Sequence, residues 1–307
     1  MKYLLFFLTI ITGANTLFAN FLPVEELYQG TDPKEIQIAD MNGDKKNDIV
    51  FVDNGTLMVL YSAPNFTFGL SNNSAFFNGI GSFRIPSTAE LKQTDFTFSS
   101  WINFGSTVPT DGAYRIYSDG TNGTFEVFYK PAVAKLYVRV YYADGTLKDY
   151  FNNTNFVPAA NTWYHIGFSH SVTDRNEVRL KINNEENDSA WFGVAKTVKV
   201  SDKEIMIGGI ATASTDFYFN GYIDEVSYFS KALTDLEMLE LYNNGSVSDL
   251  NKHSAVENLV SWWTMGDHVD DNFDATSTNK MLRDVIGKNH ALPADTSDID
   301  KVDNTTL

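Results

Sequence analysis

Apolar and polar residues alternate in short runs along most of this chain, and turn-forming residues interrupt the runs at close intervals. Ile49–Asp53, Asn54-Gly55 and Thr56–Tyr61 predict a hairpin, because Asn-Gly accepts the positive φ angles of a two-residue connection. Leu136–Tyr142, Asp144-Gly145 and Thr146–Phe151 repeat that signal. Further strands are expected at Phe96–Phe104, Thr124–Tyr129, Trp163–Ser171, Glu177–Ile182, Glu204–Gly208, Gly221–Phe229 and Leu259–Met265. Within 163–168, Tyr164, Ile166 and Phe168 face one way and Trp163 and His165 the other. Large side chains on both faces predict an inner strand. The whole pattern predicts an all-β protein, an antiparallel two-sheet sandwich of the jelly-roll type.

One helix interrupts the strands. Thr234-Asp235-Leu236-Glu237 fits a capping box, in which the Thr hydroxyl and the Glu carboxylate each accept from an amide that the first turn leaves free. Leu236, Leu239 and Tyr242 lie at helical spacing and form the expected packing face, and Asn243-Asn244-Gly245 supplies a left-handed stop. This short amphipathic helix is expected at the rim of the sandwich.

The chain's ends read differently from its middle. Met1-Lys2 followed by apolar Leu4–Ile11 and then small residues reads as a leader cleaved after Ala14 or Ala19. Residues 1–19 are therefore set aside as a signal peptide, and the mature chain is expected outside the cytoplasm, secreted or at the cell surface. No later run approaches the length of a membrane span, so no stable insertion is expected once the leader is removed. Pro64–Asn73 separates a small N-terminal hairpin unit, 20–64, from a long β region, 65–250. The remainder, 251–307, contributes a strand that completes this sandwich or a neighbour's. It then runs into an Asp-rich end expected to be mobile.

Composition narrows the function. The chain has 39 acidic against 23 basic residues, a formal charge of -16, and such a surface repels phosphate backbones. A nucleic-acid partner is thereby excluded. The absence of cysteine removes disulfides, thiolate metal sites and cysteine nucleophiles, leaving the core, and any bound metal, to hold an exported chain together.

The sharpest chemical signal lies between the first strands. Side-chain oxygens recur at Asp40, Asn42, Asp44 and Asp48, a spacing that lets alternate side chains wrap one hard cation. Calcium suits it better than magnesium because it accepts more oxygens in looser geometry. An Asx-rich turn on a solvated hairpin is the alternative. The run from Ile38 to Val50 resembles an FG-GAP repeat, whose D-x-N-G-D-x-x-x-D loop binds calcium in integrin-like propellers. That resemblance implies Asp40, Asn42, Asp44, the Lys46 carbonyl and Asp48 as ligands. Lys45 stands where that family often has glycine, and a propeller needs several copies, so a lone calcium unit is expected.

The middle of the chain carries a second resemblance. Asn78–Pro86 (NGIGSFRIP), Phe96–Ile102 (FTFSSWI), Asn161–Ile166 (NTWYHI) and Phe219–Val226 (FNGYIDEV) with Ala232-Leu233-Thr234 and the helix to Tyr242 occur in order. They are similar to the successive motifs of a concanavalin A-like, laminin G-like jelly roll. Leu259–Gly266 and Asp284–His290 resemble a segment that commonly starts such domains but here stands at the end.

That fold also hosts glycoside hydrolases, so catalysis has to be weighed. The E-x-D-x-x-E run is absent, and Asp224 and Glu225 are adjacent, which as strand residues sends them to opposite faces and makes Asp224 structural. His165 is expected in a hydrogen-bonded core role, and no catalytic residue is assigned. Trp262 and Trp263 are read as core, with one at best exposed. Tyr114, Tyr117, Tyr141 and Tyr142 are alternative stacking platforms with no basis for choosing among them. The resemblance implies a non-enzymatic binding or adhesion protein that takes a glycan or a protein surface with the help of calcium, possible as a homo-oligomer. The alternatives are a structural subunit of a filament or virion-type assembly built by strand exchange, and a glycoside hydrolase.

Overall fold

The alternating runs become antiparallel ladders in the computed structural model, which describes strands at 33–39, 48–53 and 56–60 and residues 73–303 apart from 174–175, 192–195, 211–217, 269, 274–279 and 295–298. Contacts divide the chain into two units, 1–69 and 70–307. In the first, β1 (Pro33–Ala39), β2 (Asp48–Asp53) and β3 (Thr56–Leu60) form an antiparallel sheet in that order. Asp53 pairs with Thr56, the two-residue connection that Asn54-Gly55 predicts. Ala39 pairs with Asp48, so β1 and β2 close on the stretch read as a calcium loop. Its residues Asp40, Asn42, Asp44 and Lys46 lie outside the described residues, as do the leader and its cleavage site.

The second unit continues with β4 (Asn73–Asn78), β5 (Phe83–Ile85), β6 (Phe96–Asn103), β7 (Tyr114–Ser118), β8 (Phe125–Lys130), β9 (Lys135–Tyr141) and β10 (Leu147–Phe151). After these come β11 (Tyr164–Ser171), β12 (Glu177–Ile182), β13 (Glu185–Trp191), β14 (Ile205–Ile207), β15 (Asn220–Phe229) and helix α1 (Asp235–Tyr242). Three strands follow the helix, β16 (Leu259–Trp263), β17 (Leu292–Pro293) and β18 (Ile299–Asp303). They form two sheets, β10-β9-β8-β7-β14-β5-β17 and β13-β12-β11-β6-β15-β4-β18, with β16 added against the second half of β15. The result is the expected antiparallel sandwich, and β11 is an inner strand between β6 and β12.

Aromatic side chains fill the space between the sheets. Phe96 lies 4.7 Å from Phe125 and 5.8 Å from Phe168 and stacks on Tyr228 at 5.5 Å, which joins β6, β8, β11 and β15 in one cluster. Such offset ring pairs add to the gain from burying their area. A buried charge pair fixes one end of the seven-stranded sheet. The Lys92 ammonium donates to the Ser87 hydroxyl, the Ser201 carbonyl and hydroxyl and the Lys203 carbonyl, 3.9 Å from Asp119. Asp119 in turn accepts from the amides of Thr124 and Phe125 and the Ser201 hydroxyl.

Helix α1 is capped as expected, with Glu237 N–H donating to the Thr234 hydroxyl and Thr234 N–H to the Glu237 carboxylate at 2.7 Å. Its seat corrects the expectation. Met238 and Leu241 are buried, whereas Leu236 is 74% and Leu239 39% exposed. The helix lies on the outer face of the eight-stranded sheet, where Met238 occupies the notch left by Gly167. A Cβ there would come within 2.5 Å of the Met238 methyl. A second core of Phe229, Leu233, Met238, Leu241, Leu250 and Trp262 results. Trp263 points into the main core and Trp262 into this second one, so alternate pointing buries both.

Parts of the acidic C-terminal stretch pack into the sandwich. Phe273, Leu282, Ala291 and Ile299 are buried in the main core, β17 pairs with β5, and β18 pairs with β4 of the same chain. Buried Asp284 and half-buried Asp271 account for part of the acidity as acceptors of backbone N–H groups rather than as solvated charge.

Candidate functional site

The helix-covered face of the eight-stranded sheet brings together a serine, a histidine and a carboxylate. Ser99 of β6 and His165 of β11 share a hydrogen bond of 2.7 Å, and Glu225 of β15 lines the same small cavity with Trp101, Ser227 and Leu250. Glu225 arrives there by a backbone irregularity. The β15–β6 register slips between Asp224 and Ser227, and Glu225 adopts φ 51°. Asp224 and Glu225 occupy both positions between inward-facing Ile223 and Val226, so strict alternation does not separate them. This corrects the expectation of opposite faces.

Burial decides what the cluster can do. Ser99, His165 and Glu225 are 3%, 2% and 6% exposed, and the cavity of about 10 Å³ holds roughly one water. Burial lowers the His165 pKa to about 3, keeping the ring neutral, and raises that of Glu225 to about 8. The Trp262 indole N–H donates to one Glu225 oxygen. Among the described residues the other Glu225 oxygen, His165 Nδ1 and the Ser227 hydroxyl have no hydrogen-bond partner. A nucleophilic triad needs a reachable serine and an oriented imidazole. This one has neither, and His165 has the core role expected of it.

The outer face of the seven-stranded sheet is built differently. Pairing places Arg115, Phe128, Tyr137 and Phe151 in one row across β7, β8, β9 and β10, and Ser118, Glu126, Arg139 and Asp149 in the next. Tyr137 stacks parallel to Phe128 at 5.2 Å and lies 5.4 Å from Phe151. Phe128 is covered by the Arg115 and Arg139 guanidiniums, 5.2 and 5.7 Å from its centroid. Phe151, 39% exposed, and half-buried Tyr137 are the rings solvent can reach.

The polar row is locked. Arg139 makes a two-pronged pair with Asp149 at 2.6 and 2.8 Å, which raises the guanidinium pKa above its ordinary value. Glu126 is fully buried and accepts from Arg115 at 2.8 Å, Ser118 at 3.2 Å and the Tyr141 hydroxyl at 2.7 Å. Burial and the Glu126 bond push the Tyr141 pKa up to about 12. Both carboxylates on this face are held by arginine, so neither is presented as a proton donor or nucleophile. The face offers fixed rings beside fixed charges, which suits holding a flat, hydroxyl-rich ligand.

The tyrosine platforms read from the sequence are not this surface. Tyr117 and Tyr142 are core, Tyr114 packs against the core, and Tyr141 is buried against Glu126. Tyr137 and Phe151 were missed because the connection is Ala143-Asp144-Gly145, with Tyr142 opposite Thr146, one residue longer than the two-residue turn expected from Asp144-Gly145. Pairing Tyr141 with Leu147 places Tyr137 opposite Phe151 by counting back four and forward four. Among the described residues no group of three or more His, Asp or Glu side chains could hold a metal, and no helix is long and apolar enough to cross a membrane.

Comparison with known proteins adds the family. Residues 77–238 match the family described as the concanavalin A-like lectin/glucanases superfamily. A candidate carbohydrate-binding protein from Bacteroides ovatus is 14% identical with a TM-score of 0.58, over 96% of this chain and 85% of that one. A heptameric SAP-like pentraxin from Limulus polyphemus is 15% identical with a TM-score of 0.43, over 56% of this chain and 82% of its own. The CBM40 of the Ruminococcus gnavus IT-sialidase is 13% identical with a TM-score of 0.41, over 50% and 85%. No curated protein sequence matches the chain.

Proposed function

The chain belongs to the concanavalin A-like lectin/glucanases superfamily, and from that premise we propose that it is an exported, non-enzymatic glycan-binding protein. One observation carries the reading: Tyr137 and Phe151 form a solvent-reachable ring pair in a frame of arginine–carboxylate bonds that fixes their surroundings. Sugar C–H faces stack on such rings, while the frame supplies donors and acceptors at set positions. Screening the mature chain on a glycan array identifies a ligand. Tyr137→Ala and Phe151→Ala are each expected to weaken it about tenfold or more, with the melting temperature little changed. Full affinity in both variants places binding elsewhere and removes the reading.

The N-terminal unit is proposed to bind calcium through Asp40, Asn42, Asp44, the Lys46 carbonyl and Asp48. The donor set is all oxygen, which fits a hard cation, and it stands between paired strands, since Ala39 is opposite Asp48. Calcium titration of the full chain is expected to give a saturable heat that the Asp40→Asn/Asp44→Asn double variant loses. An unchanged heat in that variant locates any calcium elsewhere.

A further inference from the structure

The basic residues of this acidic chain are not spread evenly with respect to their partners. Acidic residues outnumber basic ones 39 to 23, and the arginines of the ring-bearing face follow that excess: Arg115 is paired with Glu126 and Arg139 with Asp149. Lys130 and Lys135 do not. They stand directly opposite each other where β8 and β9 meet, on the side of the sheet that carries Tyr137. Two like charges in directly opposed positions destabilise a ladder, and a chain with so many carboxylates has ready means to neutralise them.

Both ammonium groups are held in place without an acid. Lys135 Nζ donates to the carbonyls of Asn152 at 2.6 Å, Asn153 at 3.0 Å and Thr154 at 3.2 Å, which uses its donors and leaves its charge. Lys130 Nζ lies 5.5 Å from the Tyr137 ring centroid and 5.9 Å from that of Phe128. Among the described residues neither lysine has a carboxylate within ion-pair distance, and Lys130 has no hydrogen-bond acceptor. The face therefore has a cationic edge, with one ammonium whose donors are unspent beside the ring pair.

Resting on the glycan reading of this face, we propose that its ligand is an acidic saccharide, one whose carboxylate or sulfate meets Lys130 while a sugar ring lies on Tyr137 and Phe151. The acid group supplies the counter-charge that the protein withholds, and a charge-assisted bond to Lys130 adds direction to stacking. Lys135 contributes attraction without a donor. A neutral sugar of the same size leaves both charges uncompensated. The overall charge of -16 repels long polyanions, which favours a short or terminal acidic unit over a polymer track.

The test is calorimetry on the full mature chain with four probes: tetragalacturonate, a chondroitin sulfate tetrasaccharide, neutral cellotetraose and a tetraglutamate peptide. At least one acidic sugar is expected to bind about tenfold more tightly than cellotetraose and the peptide, with affinity falling between about 0.05 and 0.3 M salt. Lys130→Met is expected to remove that advantage and leave neutral-sugar binding unchanged, and Lys130→Arg to restore most of it. Equal affinity for acidic and neutral sugars, or for the peptide, overturns the acid preference, as does a Lys130→Met loss shared by both sugars. In those cases stacking on Tyr137 can still stand. If none of the three sugars binds and the glycan array yields no ligand that Tyr137→Ala weakens, the glycan reading itself fails.

Discussion

Asp284→Ala is expected to cost the second unit about 4 kcal/mol or more and to lower its melting temperature by about 10 °C. One Asp284 oxygen accepts from the amides of Trp262 and Ile286 at 2.9 and 3.1 Å. The other accepts from the Ser261 hydroxyl at 3.0 Å and the amides of Lys288 and Asn289 at 3.3 and 2.9 Å. The residue is fully buried, so alanine strands several donors in a dry site, and each such donor costs about 1–3 kcal/mol. The same turn presents the Asn289 carbonyl to the Trp263 indole at 2.9 Å, so its loss also loosens a core tryptophan. Asp284→Asn gives an intermediate loss, because either orientation of the amide sets an NH2 against two backbone N–H groups. Thermal melts followed by near-UV circular dichroism read both effects. A loss below about 1 kcal/mol in the alanine variant shows that the turn holds without its carboxylate.

Asp284 illustrates what the sequence did and did not reveal. The Asp284–His290 run was recognisable as a motif, yet an Asp-rich composition made the surrounding stretch look loose. Composition counts carboxylates, and it cannot distinguish a solvated one from one that organises five donors. The strands were legible where alternation was strong. Trp163–Ser171 reads as an inner strand because both of its faces are large, and β11 does lie between two partners. The hairpins at Asn54-Gly55 and Asp144-Gly145 and the Thr234–Glu237 cap were legible because each depends on a local conformation that few residues accept.

Errors arose where one residue changed the phase. The irregularity at Glu225 inserts a position into β15 and brings a carboxylate that simple alternation assigns elsewhere into the cavity beside His165. In α1, an eight-residue helix leaves two apolar stripes available, and the choice of Met238 and Leu241 over Leu236 and Leu239 is made by the Gly167 notch on a strand far away in sequence. The ring face was hidden for a related reason. Which of the aromatic residues of β8, β9 and β10 face solvent depends on three registers at once, and only one of these is set by a recognisable turn.

The Glu225 cavity makes the chain's stability fall as pH rises above neutrality, a dependence that one substitution removes. In the unfolded chain this carboxyl ionises near its ordinary value of 4.5, and in the folded chain at about 8, chiefly because burial disfavours the charge, with Asp267 and Asp249 adding to the rise. Between those values the folded state holds one more proton than the unfolded state. Its contribution is thus complete below about pH 4.5, is lost as pH rises to about 8, and stays lost beyond. His165 acts oppositely: its folded value of about 3 against 6.5 makes stability rise with pH up to 6.5. The two slopes oppose each other below 6.5, so the carboxyl is seen cleanly above it. Denaturation at pH 6.5 and 9 is expected to show a fall of about 2 kcal/mol that Glu225→Gln abolishes, because the amide keeps an acceptor for the Trp262 indole and cannot ionise. The variant is therefore the more stable protein at pH 9. Identical pH slopes in both proteins mean that Glu225 is hydrated and ionises as an ordinary surface acid, and the cover formed by α1 and the Leu250 segment is then far looser than the packing of Met238 and Leu241 implies.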